Sequence, residues 1–117
     1  MPEIKKVKLL IVIVDRGVGE AVSSVLRKMQ VTFNLTSPGY GAAGSDLADY
    51  LGITSDEKDI VISVVLEEKV QSALDLLLYK FNLDQPGNGV AFTIPITGAS
   101  GPLALKYMSG LNWKPVK

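Results

Sequence analysis

The stretch VKLLIVIVD, Val7–Asp15, contains the longest apolar run of the chain, Leu9 to Val14. A short run of Val, Ile and Leu without polar alternation is typical of a strand that is buried on both faces. The segment DIVISVV, residues 59–65, has the same character. We therefore predict two central strands of one sheet, and the segments around them complete the fold.

Each central strand is followed by a helical pattern, the first over residues 18–30 and the second beginning at Glu67. Apolar side chains recur in both at intervals of three and four residues, which places them on one face of a helix. The predicted faces are Val18, Ala21, Val22, Val25, Leu26 and Met29 in the first helix, and Val70, Ala73, Leu74, Leu77 and Phe81 in the second.

Two outer strands complete the set of elements. In VTFNLTS, residues 31–37, apolar and polar side chains alternate, which predicts a strand with one buried face. VAFTIPI, residues 90–96, is the other, and Pro95 restricts it to an edge or to the end of the strand because proline has no N–H. The order β-α-β-β-α-β predicts an α+β, ferredoxin-like sandwich, in which two helices cover one face of a four-stranded antiparallel sheet.

The second face of such a sheet has no covering layer within the predicted domain, residues 1–96. It would expose Val, Ile and Phe side chains unless another subunit covers it, so we predict an oligomer with ligand sites in the subunit clefts. Residues 97–117 form a tail with one candidate short helix at 103–111.

Composition excludes several classes of function. The 117 residues include no Cys and no His, so thiol nucleophiles, histidine bases and soft-metal sites are excluded, and we predict no metal site and no enzyme activity. Twelve basic and twelve acidic residues cancel, which argues against nucleic-acid binding. The apolar runs are too short to span a bilayer, so we expect a protein of the cytoplasm that is not embedded in the membrane.

Two glycine-rich segments stand out. Residues 38–58, PGYGAAGSDLADYLGITSDEK, form a predicted long loop, and long loops in compact domains are often functional. PGNG, residues 86–89, precedes the last strand. Glycine lets a backbone approach an anion closely, and adjacent N–H groups can bind it. A Gly-Asn-Gly sequence at this place can also be a simple tight turn.

The element order, the GYG at the start of the long loop and the GNG before the last strand together resemble the P-II family of nitrogen-regulatory signalling proteins, over roughly residues 5–96. The resemblance implies a homotrimer that binds ATP or ADP in its three intersubunit clefts. It also implies a T-loop, here residues 39–58, that contacts a target protein such as a transporter or a metabolic enzyme. The function would be regulation of nitrogen or related carbon metabolism.

The resemblance also implies the site residues. The predicted T-loop carries Asp46 and Asp49, whose charges suit a partner with a basic docking site. It also carries Tyr50, a candidate for modification because some members of the family are modified on a loop tyrosine. Val64 would contact adenine through its backbone, and the GNG would hold the phosphates. The implied ligand-binding residues are Gly39, Tyr40, Gly41, Val64, Gly87, Asn88 and Gly89.

The chain departs from the family where charge matters. Val90 replaces the lysine of the phosphate loop, Ala42 and Ala43 replace an arginine and a glutamine, and no Lys or Arg occurs in residues 81–105. Each lost bond to a charged group removes about 1.5–3 kcal/mol, so several losses would weaken ATP binding by powers of ten.

Three outcomes follow for the ligand. Lys58, or the tail residues Lys106, Lys114 and Lys117 from a neighbouring subunit, could replace the cations, although the simplest expectation for Lys58 is a solvated loop lysine. A less charged ligand could bind, or the cleft could be empty. The alternatives to a sensor are a small ferredoxin-like trimeric enzyme that uses a carboxylate, and a structural ligand-binding trimer without nucleotide sensing.

Overall fold

The computed structural model describes residues 7–40 and 57–108. Their elements follow the predicted order β-α-β-β-α-β, with one more helix after the last strand. Within these residues, no helix is long and apolar enough to cross a membrane. The elements are β1 Val7–Asp15, α1 Gly19–Lys28, β2 Asn34–Tyr40, β3 Glu57–Leu66, α2 Glu67–Phe81, β4 Val90–Pro95 and α3 Pro102–Met108.

The four strands form one sheet in the order β2-β3-β1-β4, and every neighbouring pair is antiparallel. Ile11 at the centre of β1 pairs with Ile62 of β3 on one side and with Phe92 of β4 on the other. The two Val- and Ile-rich strands are central, and Pro95 ends an edge strand, as predicted. The α+β, ferredoxin-like sheet that the sequence predicts is therefore confirmed.

Helices α1 and α2 pack on the sheet face that carries Leu10, Val12 and Val14 of β1. These side chains share a face because successive strand residues point to opposite sides. Each fully buried Val or Leu contributes roughly 1.5–3 kcal/mol to folding. All five apolar positions predicted for α2 belong to this core or pack against it. The buried core residues are Leu10, Val12, Val14, Val22, Leu26, Val31, Val61, Val65, Ala73 and Leu77.

Helix α1 is shorter than the predicted 18–30. Val18 is its N-cap and Lys28 its last residue. Ala21 is exposed, whereas Ser23 is buried and its hydroxyl lies 3.3 Å from the hydroxyl of Thr36 in β2. Apolar spacing alone missed this residue, because a hydrogen bond to another element compensates the burial of a polar side chain.

Strands β2 and β3 extend into the segment predicted as the long loop. The pairs Pro38↔Asp59, Gly39↔Lys58 and Tyr40↔Glu57 continue the β2–β3 ladder.

β2 also begins later than predicted, at Asn34. Val31 is buried in the core, but Leu35 is 52% exposed on the other face of the sheet. At the other end of β2, Pro38 does not end the ladder with β3, since the missing N–H of a proline in an edge strand can face solvent.

The second sheet face, which we call the helix-free face, carries the apolar side chains of alternate residues in all four strands. Ile11, Ile13, Ile60 and Ile62 are half-buried, and Leu35, Phe92 and Ile94 are 52%, 39% and 43% exposed. One end is covered within the chain, which the sequence did not predict: Leu105 of α3 packs with Val7, Val64 and Leu66.

Candidate functional site

The ends of all four strands lie together at one end of the sheet. β1 and β2 finish there, and β3 and β4 begin there, as the pairs Asp15↔Lys58, Gly39↔Lys58 and Ile13↔Val90 show. We call this the loop end of the sheet. It brings Gly39 and Tyr40 to the same end as Gly87, Asn88 and Gly89, although the two groups lie on opposite edge strands.

The Gly87–Gly89 segment is a capped turn. Its glycines have φ of 94° and 116°, and Asn82, which ends α2, has φ of 51°. The side-chain Nδ2 of Asn88 donates to the carbonyl oxygen of Asn82 at 2.9 Å, and the Asn88 N–H donates to the carbonyl of Gln85 at 3.4 Å. Asn88 therefore stabilises the exit from α2 with both groups.

Gly89 is required by packing. A Cβ at this position would lie 2.4 Å from the carbonyl oxygen of Ile13 and 3.0 Å from Cγ1 of Val14. The turn thus lies directly against β1, in a conformation that L side chains rarely adopt. Close packing explains this glycine without any ligand, and the phosphate-binding role of the turn stays a prediction.

Gly39 and Tyr40 lie at the end of β2. A Cβ on Gly39 would lie 2.7 Å from Cδ1 of Ile60, the end of a flexible side chain that can move aside, so Gly39 is closely packed but its neighbour does not require a glycine. The Tyr40 side chain is 75% exposed. The guanidinium carbon of Arg16 lies 5.5 Å from the centre of the Tyr40 ring, within cation–π distance.

Arg16 is the residue at this end that sequence reasoning missed. Its Nε donates to the carbonyl oxygen of Lys58 at 3.1 Å, and its Nη2 donates to that of Gly39 at 3.3 Å. It also forms ion pairs with Asp59 at 3.4 Å and with Glu57 at 3.9 Å. The only sequence signal was a basic residue directly after a central strand, which does not reveal contacts to residues 23 and 42 positions away.

Asp59 of β3 organises the turn between β1 and α1. Its Oδ2 accepts the N–H of Gly17 at 2.8 Å and the N–H of Gly19 at 3.1 Å. A Cβ on Gly19 would lie 2.9 Å from both Cβ and Oδ2 of Asp59, so the turn closes around this carboxylate. A negative charge here also favours the helix dipole of α1.

Lys58 is not the solvated loop lysine that the sequence predicted. Its side chain is only 6% exposed and its Nζ donates to Oδ1 of Asp15. The pairing of β3 with both β1 and β2 continues through Lys58 and directs the side chain onto the helix-free face, next to Asp15. Lys58 is therefore already neutralised and is not available as a replacement for the missing phosphate-binding lysine. Lys114 and Lys117 lie outside the described residues.

Val64 lies at the opposite end of the sheet. It follows Lys58 by six positions in β3, a separation of roughly 20 Å at about 3.3 Å per residue. Its side chain is 1% exposed and packs with Leu105. The β2 ladder ends at the pair Asn34↔Ser63, just before Val64. Within one protomer, Val64 and the loop end are therefore well separated along the sheet.

The four other residues of the predicted site and contact loop are Gly41, Asp46, Asp49 and Tyr50, and all lie outside the described residues. Their roles stay predictions.

Solved structures of P-II proteins share this fold. Arabidopsis thaliana PII bound to citrate matches with a TM-score of 0.59 and 21% identity, over 79% of this chain and 76% of that one. The GlnK–ATP complex of B. subtilis matches with a TM-score of 0.57 and 18% identity, over 79% and 83%. No protein-family profile and no curated protein matches the sequence. The likeness confirms the P-II type of fold that the short motifs indicated.

Proposed function

We propose that this chain is a P-II-like regulatory protein without catalytic activity. It binds a small effector between protomers and controls a target protein through the T-loop, residues 39–58. The observation that carries the proposal is the division of the candidate site between the two ends of one sheet, next to an apolar face that the chain leaves largely open. A fold that also holds citrate in one solved relative and ATP in another supports a ligand role.

The helix-free face supports assembly as a homotrimer. Phe92 and Ile94 on the edge strand β4, and Leu35 on the edge strand β2, are all at least 39% exposed in the single chain. Burial of such a face against other copies would release about 25 cal/mol per Å2 of apolar surface. Assembly would also place Val64 of one protomer near the loop end of another, which a single chain does not achieve.

The charges of the described residues favour a weakly bound or less charged effector. Residues 81–105 contain no Lys or Arg, Lys58 is paired with Asp15, and Arg16 is paired with Asp59 and Glu57. The phosphates of an adenine nucleotide would rely on backbone N–H groups, whereas an effector with fewer negative charges would lose less from the missing cations. We place the protein in the cytoplasm, in the regulation of nitrogen or related carbon metabolism.

Two measurements test this function. Sedimentation equilibrium should give three times the protomer mass. The variant Phe92→Asp should shift the protein toward monomers, because it places a charge on the helix-free face. Tyr79→Asp is the matched control, since Tyr79 is 79% exposed on α2 and should leave the mass unchanged.

Calorimetry with ATP, ADP, AMP and citrate, with and without magnesium and 2-oxoglutarate, tests the effector. We expect at least one of them to bind with a dissociation constant of about 10 μM to 1 mM, or roughly −7 to −4 kcal/mol. A monomer that binds none of these compounds below millimolar would overturn the proposed function.

A further inference from the structure

We infer that Arg16 is a positioning residue of the effector site: it holds the Gly39–Tyr40 end of β2 against the start of β3 and so fixes the surface that the effector contacts. This inference rests on the proposed function. Arg16 does not belong to either of the glycine segments from which the candidate site was built.

The contacts of Arg16 reach two strands at once. On β2 it bonds the carbonyl oxygen of Gly39 and lies over the ring of Tyr40. On β3 it bonds the carbonyl oxygen of Lys58 and pairs with Asp59. The guanidinium is planar and carries its donors in a rigid fork, so these contacts fix its orientation as well as its position. The exposed Tyr40 ring is therefore held next to the Arg16 guanidinium.

The local charge balance shows why Arg16 positions rather than binds an anion. Three carboxylates, those of Asp15, Glu57 and Asp59, surround two cations, Arg16 and Lys58, which leaves a formal charge of −1 (two minus three). A phosphate or carboxylate that approached the guanidinium would meet this net negative charge. The two nitrogens that make the shortest contacts already donate to protein carbonyls.

Asp59 extends the connection to helix α1. The same carboxylate that pairs with Arg16 accepts the N–H groups of Gly17 and Gly19 at the start of α1. Asp59 is 9% exposed, and its bond to the Gly19 N–H is buried. Arg16 and Asp59 therefore connect the Tyr40 end of β2 to the start of α1.

The decisive experiment is a double-variant cycle on effector affinity, with ATP, ADP and citrate as the probes. Arg16→Ala should weaken binding of the effector by about tenfold, or ~1.4 kcal/mol. Tyr40→Ala should weaken it as well, and the double variant should lose no more than Tyr40→Ala alone, because Arg16 acts through the position of Tyr40. Arg16→Lys keeps the charge but loses the planar fork, so it should restore only part of the affinity.

Two controls separate positioning from general stability. Arg27→Ala removes an arginine of α1 whose ion pair with Glu20 is solvent-exposed, and affinity should not change. Val22→Ala lowers stability through the core, at a residue that is 0% exposed, and should also preserve affinity. Equal affinity losses in Arg16→Ala and Val22→Ala, or fully additive losses in the double variant, would overturn the inference.

Hydrogen exchange tests the positioning role of Arg16 without any effector and therefore independently of the proposed function. In Arg16→Ala, amide exchange should accelerate by about tenfold or more at Tyr40 and at residues 57–59, while the centres of β1 and β3 stay protected. If no probe binds the wild-type protein, the proposed function fails, and the exchange pattern still decides on Arg16. Unchanged exchange at these amides would overturn its positioning role.

Discussion

Two groups of residues at the loop end of the sheet differ in backbone conformation and in charge. The Gly87–Gly89 turn beside β4 has two glycines with positive φ, and no Lys or Arg occurs in residues 81–105. The cluster around Arg16 beside β2 and β3 has the charges, and uses them on its own carboxylates and carbonyls. The contrast shows that glycines and cations at one end of a fold can each have an internal explanation, so ligand binding must be tested separately at each.

The largest effect is expected when the packing of the glycine turn is broken. Gly89→Ala should lower the free energy of unfolding by about 2–5 kcal/mol, through strain at its positive φ and overlap with the Ile13 carbonyl. Urea unfolding at fixed protein concentration measures this. Gly98→Ala is the control, because a Cβ there meets nothing within 4 Å. Equal stability of both variants would show that Gly89 is not constrained by β1.

The Arg16 cluster should be most sensitive at Asp59. Asp59→Ala leaves the N–H groups of Gly17 and Gly19 without their acceptor, and should lower the free energy of unfolding by about 1–3 kcal/mol. Thermal or urea unfolding measures the loss. Glu20→Ala, which removes an exposed carboxylate from the same helix end, should cost about 0.5 kcal/mol. A similar loss in both variants would mean that only the helix dipole is involved.

A positive charge introduced beside the Gly87–Gly89 turn should show whether phosphate groups bind there. Val90→Lys returns a cation to the position where the resembled family has one, and should strengthen ATP or ADP binding by about tenfold, or ~1.4 kcal/mol. Calorimetry at constant salt measures the change. Val90→Gln is the control, since it adds a polar side chain of similar length without charge. Equal affinities of the two variants would argue that phosphate does not lie against this turn.

The smallest effect is expected at Asn88. Asn88→Ala removes the bond from its Nδ2 to the Asn82 carbonyl and should lower the free energy of unfolding by about 1 kcal/mol. Asn88→Asp should cost somewhat more, because a carboxylate cannot donate and lies near the negative end of the α2 dipole. Gln85→Ala is the control, since Gln85 contributes its backbone carbonyl to the turn. Unfolding curves that coincide for all three would show that the Asn88 bond does not stabilise the turn.

Regular periodicity predicted the parts of the fold that depend on local burial. Val70, Ala73 and Leu77 lie on one side of α2 because 3.6 residues make a turn, and the structure packs them as predicted. Pro95 ends an edge strand because it lacks a donor. The end of β2 was harder to predict from the sequence. Gly39 and Tyr40 continue the strand only because Lys58 and Glu57 lie opposite them.

The sequence named candidate site residues but not their contacts. The resemblance assigned Gly39, Tyr40 and the Gly87–Gly89 turn to a ligand site; the structure brings them to one end of the sheet, and their ligand roles stay predictions. It missed Arg16 and misjudged Lys58, because the state of a charged side chain depends on partners brought close by the sheet. Val64, which the resemblance assigned to the intersubunit cleft, lies at the other end of the sheet under Leu105, and its contact with adenine stays a prediction.

The sequence alone determined the order of elements, the central strands and the buried face of α2, because strand alternation and helical spacing show which side of each element is apolar. It also determined what chemistry is absent, since no Cys or His occurs. Only the tertiary structure decided which charges are free. Lys58 and Arg16 lose their availability through partners on other strands, and Gly89 is required by the β1 backbone. These constraints arise between residues that are distant in sequence, where local pattern has no information.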